Sequence, residues 1–185
     1  MIDIWLVRHG EASAGWDVCP DPGLSALGYE QAAHASEHLL KIVPEGVDII
    51  SSPLLRAQET AAPFAESAAQ LLTLDAAFRE LPSPVPLAER HAWLKTFMHQ
   101  TWDQQPPEQW LWRDRIIAAL SALTAPTVVF THFMVINAVL AQVHQQPATV
   151  QALPANGSVH HFRLQDTDAK LLLVALGEQL SSDVL

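Results

Sequence analysis

The chain has 185 residues, 49% of them hydrophobic and 16% charged, which suits one well-buried domain over residues 1–185 and excludes a disordered chain. Ten Lys plus Arg stand against 20 Asp plus Glu, a net charge of −10 that opposes nucleic acid and anionic lipid as partners. A small anion is still allowed, because salt screens a distant field within roughly 10 Å and a local pair of arginines then decides.

The first element is an uninterrupted apolar run, IDIWLV (2–7), which reads as a buried strand. No basic leader or export-type apolar region precedes it. Nowhere does an apolar run approach the ~20 residues that span a bilayer. Cys19 is the only cysteine, so no intrachain disulfide forms; together these point to a reducing, cytoplasmic location. Arg8, His9, Gly10 and Glu11 follow the strand directly. LSALGYEQAAHASEHLLKIV (24–43) is helical after Ser25, a suitable N-cap. VDII (47–50) is a second strand, and SPLLRAQETAAPFAESAAQLL a second helix, bent or interrupted at Pro63. From about 82 to 125 the rhythm changes: PSPVP is followed by a stretch carrying Trp93, Trp102, Trp110 and Trp112, which reads as a helical insertion. PTVVFTH (126–132) is a third strand that runs into the helix FMVINAVLAQVH. SVHHFRL and KLLLVAL are two closing strands, and the polar end GEQLSSDVL is expected to fray.

Strands alternating with helices of this length predict an α/β fold, a three-layer α/β/α sandwich around a mostly parallel sheet. Three of its strand ends carry unusual chemistry: Arg8-His9-Gly10 after the first, SSPLLRAQET after the second, Thr131-His132 in the third. Ligands of open α/β sheets bind beyond the carboxyl ends of the strands. Two histidines and two arginines are therefore expected to converge there.

With those residues in view, the chain resembles the histidine phosphatase superfamily, branch 1, the group that includes cofactor-dependent phosphoglycerate mutases. LVRHGEA, LSALGYEQA, SSPLLRAQETA and VVFTH match in order and span roughly residues 4–138. The resemblance implies a phosphoglycerate mutase-like fold and a phosphatase needing no cofactor or metal, acting on a small phosphorylated metabolite. It implies that His9 attacks phosphorus, that Arg8 and Arg56 grip the phosphoryl oxygens together with His132 and the backbone of Phe133, and that Glu80 is the general acid. One ring nitrogen of His9 then needs an acceptor, such as a backbone carbonyl, to fix its tautomer. Gly10 would let the chain turn and approach the phosphate. Glu11 would orient Arg56 or a nearby backbone group, and Ser25 and Glu59 would support the site.

The chain departs from the family pattern at points that bear on the substrate. Thr131-His132-Phe133 replaces Ser-His-Gly, so a phenyl ring would narrow the pocket. Asn137 stands where many relatives carry Arg. Gly15 and Trp16 occupy the region of a frequent Asn, and LPSPVP replaces the Gly-x-Trp-Glu-Gly stretch after Glu80. Two other readings stay open: a phosphoglycerate mutase-type phosphotransferase, and a catalytically weak binder of phosphorylated ligands. HASEH sets His34 and His38 at i and i+4, as zinc sites do, but both lie at the polar edge of a helix whose core stripe is Ala32, Ala35, Leu39 and Ile42, with no third ligand following. His160 and His161 alternate faces of a strand and cannot share one site. Nothing in the sequence sets an oligomeric state.

Overall fold

In the strand Ile2–Arg8 (β1), Ile4, Trp5, Leu6 and Val7 are all buried. A strand with no solvent face must lie inside a sheet covered on both sides. The computed structural model, which describes residues 1–15, 17–165 and 169–181, shows that arrangement. After β1 come α1 (Ala26–Ile42), β2 (Asp48–Ser51), α2 (Leu55–Ala68), β3 (Leu72–Leu74), α3 (Arg90–Met98), α4 (Pro107–Ser121), β4 (Thr127–Thr131), α5 (Phe133–His144), β5 (Val159–Leu164) and β6 (Leu171–Ala175).

The sheet has six strands in the order β3-β2-β4-β1-β5-β6. β3, β2, β4 and β1 run parallel, while β5 pairs antiparallel with β1 and β6 antiparallel with β5. Successive β1 side chains point to opposite faces. Ile4 and Leu6 join a core with α5, Trp102, Trp112 and Ile116, whereas Trp5 and Val7 join one with Ala35, Leu39, Ala61 and Phe64 of α1 and α2. These are the three expected layers. The closing pair of antiparallel strands makes the sheet mixed.

Ser25 caps α1 by accepting from the Gly28 N–H at 3.0 Å. Ile42 leaves the expected core stripe, 43% exposed at the last turn. Helix α2 runs unbroken through Pro63, so of the bend or interruption expected there, the interruption does not occur. The insertion forms α3 and α4, joined by a turn at Trp102–Gln104. Trp102 is its centre: it stacks on Trp112 at 6.5 Å, meets Phe97 edge-on at 5.9 Å, and has the Arg113 guanidinium 4.8 Å from its ring. The polar end is also held rather than frayed as far as it is described. The Leu180 N–H donates to the Leu153 carbonyl at 2.7 Å, and the Gly177 N–H to His160 Nδ1 at 3.0 Å. Residues 182–185 of that end, and Trp16, lie outside the described residues.

Trp102→Ala should cost about 3–5 kcal/mol, the usual range for deleting a buried aromatic. A fall in the urea midpoint at unchanged slope would measure it.

Candidate active site

Strand register brings the site together. Arg8 pairs with Thr131 and Ser51 with Phe130, so β1, β2 and β4 end level on one rim. The ladder continues one step further, with the His9 N–H donating to the Thr131 carbonyl at 3.0 Å and the Ser52 N–H to the Phe130 carbonyl at 2.9 Å. His9, Ser52 and His132 are the next residues out.

His9 Nδ1 lies 2.6 Å from the Gly10 carbonyl. A carbonyl only accepts, which assigns the ring proton to Nδ1 and leaves Nε2 with its lone pair. Arg56 Nε donates to that lone pair at 3.1 Å. Burial, then the Arg56 and Arg8 charges, hold His9 well below the usual imidazole range, so the ring is neutral at neutral pH. His132 meets a side-chain hydroxyl where His9 meets a carbonyl. Ser52 Oγ accepts from the Leu54 N–H at 3.3 Å and lies 2.8 Å from His132 Nε2. Where that hydroxyl gives its proton to Nε2, His132 carries its own proton on Nδ1. The His132 ring sits 5.2 Å from the His9 ring and is also held well below its ordinary value, first by burial and then by His9 and the two arginines.

Three buried donors here have no partner among the described residues: Arg8 Nε, Arg56 Nη1 and His132 Nδ1. Arg56 Nη1 lies 4.0 Å from the exposed carboxylate of Asp21, beyond hydrogen-bond reach. Buried N–H groups are normally satisfied, and a cluster of unsatisfied donors beside two guanidinium groups fits a tetrahedral oxyanion. Burial lowers the Arg8 guanidinium to about 10, which still leaves it charged at neutral pH.

Backbone from distant parts of the chain holds these groups in place. Arg8 Nη1 donates to the Pro154 carbonyl at 2.5 Å, Asn156 Nδ2 to the His9 carbonyl at 3.1 Å, and the Gly157 N–H to the Arg8 carbonyl at 3.0 Å. Thr60 Oγ1 accepts from the Gly10 N–H at 3.0 Å and donates to the Arg56 carbonyl at 2.6 Å, tying the tip of β1 to α2. Thr131 Oγ1 donates to the Phe78 carbonyl at 2.9 Å, anchoring the segment that delivers Glu80.

Glu80 accepts from the Leu81 N–H at 2.8 Å and from the Met134 N–H at 3.4 Å. Burial raises its pKa above the usual carboxyl value, only partly offset by those N–H groups and by Arg56 and Arg8. Arg8, His9, Arg56 and Glu80 line one cavity of about 290 Å³, and Phe133 forms part of its wall. The Phe133 ring faces the Arg8 guanidinium at 5.1 Å.

Other expected site residues are placed differently. Glu11 meets Ser25 rather than Arg56: it accepts from the Ser25 hydroxyl at 2.7 Å, on an exposed edge. Glu59 accepts from the Leu24 N–H at 2.6 Å and so holds the start of α1. Gly10 does not serve a left-handed turn, since only Gly46 and Gly157 among the described glycines have positive φ. It serves close packing: a Cβ there would fall 2.4 Å from the Gly28 carbonyl oxygen. Asn137 is a buried residue of α5, and its Oδ1 accepts from the Gln151 and Ala152 N–H groups at 2.7 and 3.0 Å. His34 and His38 are exposed, and no cluster of three or more His, Cys, Asp or Glu suited to a metal occurs among the described residues. His160 is buried against Ser158, whereas His161 reaches Asp3.

The architecture and this cationic rim define an α/β protein with a pocket lined by two arginines at its strand ends. The model of the histidine phosphatase superfamily (branch 1) matches residues 4–176, and the chain belongs to that superfamily. Its fold is similar to that of Bacillus stearothermophilus YhfR, with TM-score 0.78 at 17% identity over 98% of each chain. A mycobacterial glucosyl-3-phosphoglycerate phosphatase aligns with TM-score 0.75 at 21% identity, covering 97% of this chain and all of the other. The phosphoserine phosphatase of Entamoeba histolytica, solved with 3-phosphoglyceric acid, aligns with TM-score 0.71 at 19% identity over the full length of both. No curated protein matches the chain in sequence.

Ser52 was not legible as a site residue, and its variant tests the tautomer argument. Ser52→Ala should weaken orthovanadate binding about ten-fold, the equivalent of one hydrogen bond to a charged group. Calorimetric titration reads the loss, and an unchanged circular dichroism spectrum shows that the fold survives.

Proposed function

We propose that the protein is a metal-independent phosphatase that hydrolyses a small phosphorylated metabolite through a phosphohistidine at His9. One observation carries the reading: the lone pair of His9 Nε2 lies among buried nitrogens of Arg8, Arg56 and His132 that have no partner among the described residues.

In the first half-reaction the Nε2 lone pair attacks phosphorus as the bond to the ester oxygen breaks. Arg56 Nε, which now donates to Nε2, is close enough to pass its hydrogen bond to a phosphoryl oxygen as the N–P bond forms. The departing alkoxide takes the proton of Glu80. In the second, the Glu80 carboxylate accepts a proton from water, the water oxygen bonds to phosphorus, and the P–N bond breaks to give inorganic phosphate and neutral His9. Arg8, Arg56 and the His132 Nδ1–H supply the charge stabilisation, which is most of the work in phosphoryl transfer. A mutase-type reaction would need cationic partners for the carboxylate of a phosphoglycerate, and the described cavity lining has none beyond the phosphoryl grip.

His9→Ala should abolish phosphate release from 4-nitrophenyl phosphate; wild-type turnover in that variant contradicts the reading. Glu80→Gln should slow hydrolysis of an alkyl phosphate by about 10²–10⁴. With an aryl ester, whose leaving group needs no proton, it should let acid-labile phosphoenzyme accumulate on quenching.

The pKa directions set the pH profile. His9 must be neutral, and its lowered pKa moves the acid limb of kcat/KM below the usual imidazole range. Glu80 must be protonated for the first step, and its raised pKa moves the alkaline limb above the usual carboxyl range. With an alkyl ester the alkaline limb should vanish in Glu80→Gln, read from initial rates across pH.

A further inference from the structure

The substrate class can be taken further, on the assumption that the phosphatase reading holds. The phosphoryl grip accounts for every basic side chain among the described residues that line the cavity: Arg8, His9 and Arg56, with Glu80 as the one acid. What surrounds the path of the leaving group is apolar. Leu94 and Met98 come from α3, Phe133 and Met134 from the start of α5, and Leu180 from the pinned carboxyl-terminal segment. Ala12, Ala14 and Pro22 complete the apolar lining.

Charge balance gives the same answer. A phosphomonoester carries about −2 above a second pKa near 6, which matches the two guanidinium groups. A carboxylate on the leaving group would add a charge with no cation to meet it, in an apolar chamber next to Glu80. Volume adds a limit: about 290 Å³ lies at the lower end of small-molecule pockets, so the ester is compact.

We infer that the site selects compact phosphomonoesters of uncharged, apolar alcohols and discriminates against esters whose alcohol carries a carboxylate.

Butyl phosphate and 4-(phosphonooxy)butanoate test this, because their alcohols leave alike and differ in the terminal carboxylate. The expected result is a kcat/KM for butyl phosphate at least about ten-fold higher, with the difference mainly in KM. Met98→Lys should shrink that ratio by placing a cation in the apolar wall. If both esters are hydrolysed at similar rates, or the carboxylate ester faster, the inference is overturned while the phosphatase reading stands. If neither exceeds the His9→Ala background, the phosphatase reading fails instead. Selectivity is then read from calorimetric binding of pentylphosphonate and its terminal carboxylate analogue. Tighter binding of the first supports the inference, and equal or weaker binding overturns it.

Discussion

Two guanidinium groups share one buried rim with two imidazoles, and that concentration of potential positive charge is the constraint around which the site is built. Burial and then Arg56 make Arg8 harder to keep charged, and burial with both arginines keeps His9 and His132 neutral. The same field that would repel an imidazolium keeps Nε2 of His9 unprotonated, as the proposed attack on phosphorus requires. Arg8 Nε, Arg56 Nη1 and His132 Nδ1 have no partner among the described residues. A dianion placed there turns mutual repulsion into attraction.

Holding such a cluster requires rigid support, and it comes from backbone groups and from two short side chains, Thr60 and Asn156. The Arg8-His9 tip is gripped by carbonyl and amide groups of residues 154–158, by Thr60 on α2 and by the ladder to β4. The 154–158 segment is itself steadied from behind. The Ala155 N–H donates to the Glu178 carbonyl at 2.9 Å, and the buried, neutral His160 joins Ser158 to the Gly177 N–H. Burial pushes His160 down to about 4, so it keeps this role at neutral pH. The insertion has a separate task. Its tryptophan core fixes α3, and α3 presents Leu94 and Met98 to the cavity. The cationic groups thus sit at the strand ends and the start of α2, and part of the apolar wall on the added helix α3.

Much of this could be read from sequence because it lies in periodic or chemically marked stretches. The apolar runs of β1 and β4 gave strands, the Ser25 cap gave the start of α1, and the Arg-His-Gly and Thr-His strand ends marked the rim. Strand β3 was hidden: it has three residues at the sheet edge, and the helix before it ends on Ala69 in the left-handed region without the glycine that usually signals a stop. Ser52 looked like an ordinary residue of a matched motif, since its role appears only when register sets it beside His132. Pro154 and Asn156 sit in a stretch whose Asn-Gly pair signals a turn and nothing more. Glu11 was misassigned for a related reason: adjacency to His9 in the chain did not reveal that its side chain points to Ser25. Contacts that depend on tertiary register leave no local mark.

The central claim is that an oxyanion binds among Arg8, Arg56 and His132 with its central atom in line with His9 Nε2. A crystal structure with orthovanadate tests it most directly. The account predicts vanadium bonded to His9 Nε2, with its oxygens accepting from both guanidinium groups and from His132 Nδ1. Vanadate bound through His9 Nδ1, or held elsewhere with those donors still unsatisfied, would contradict it.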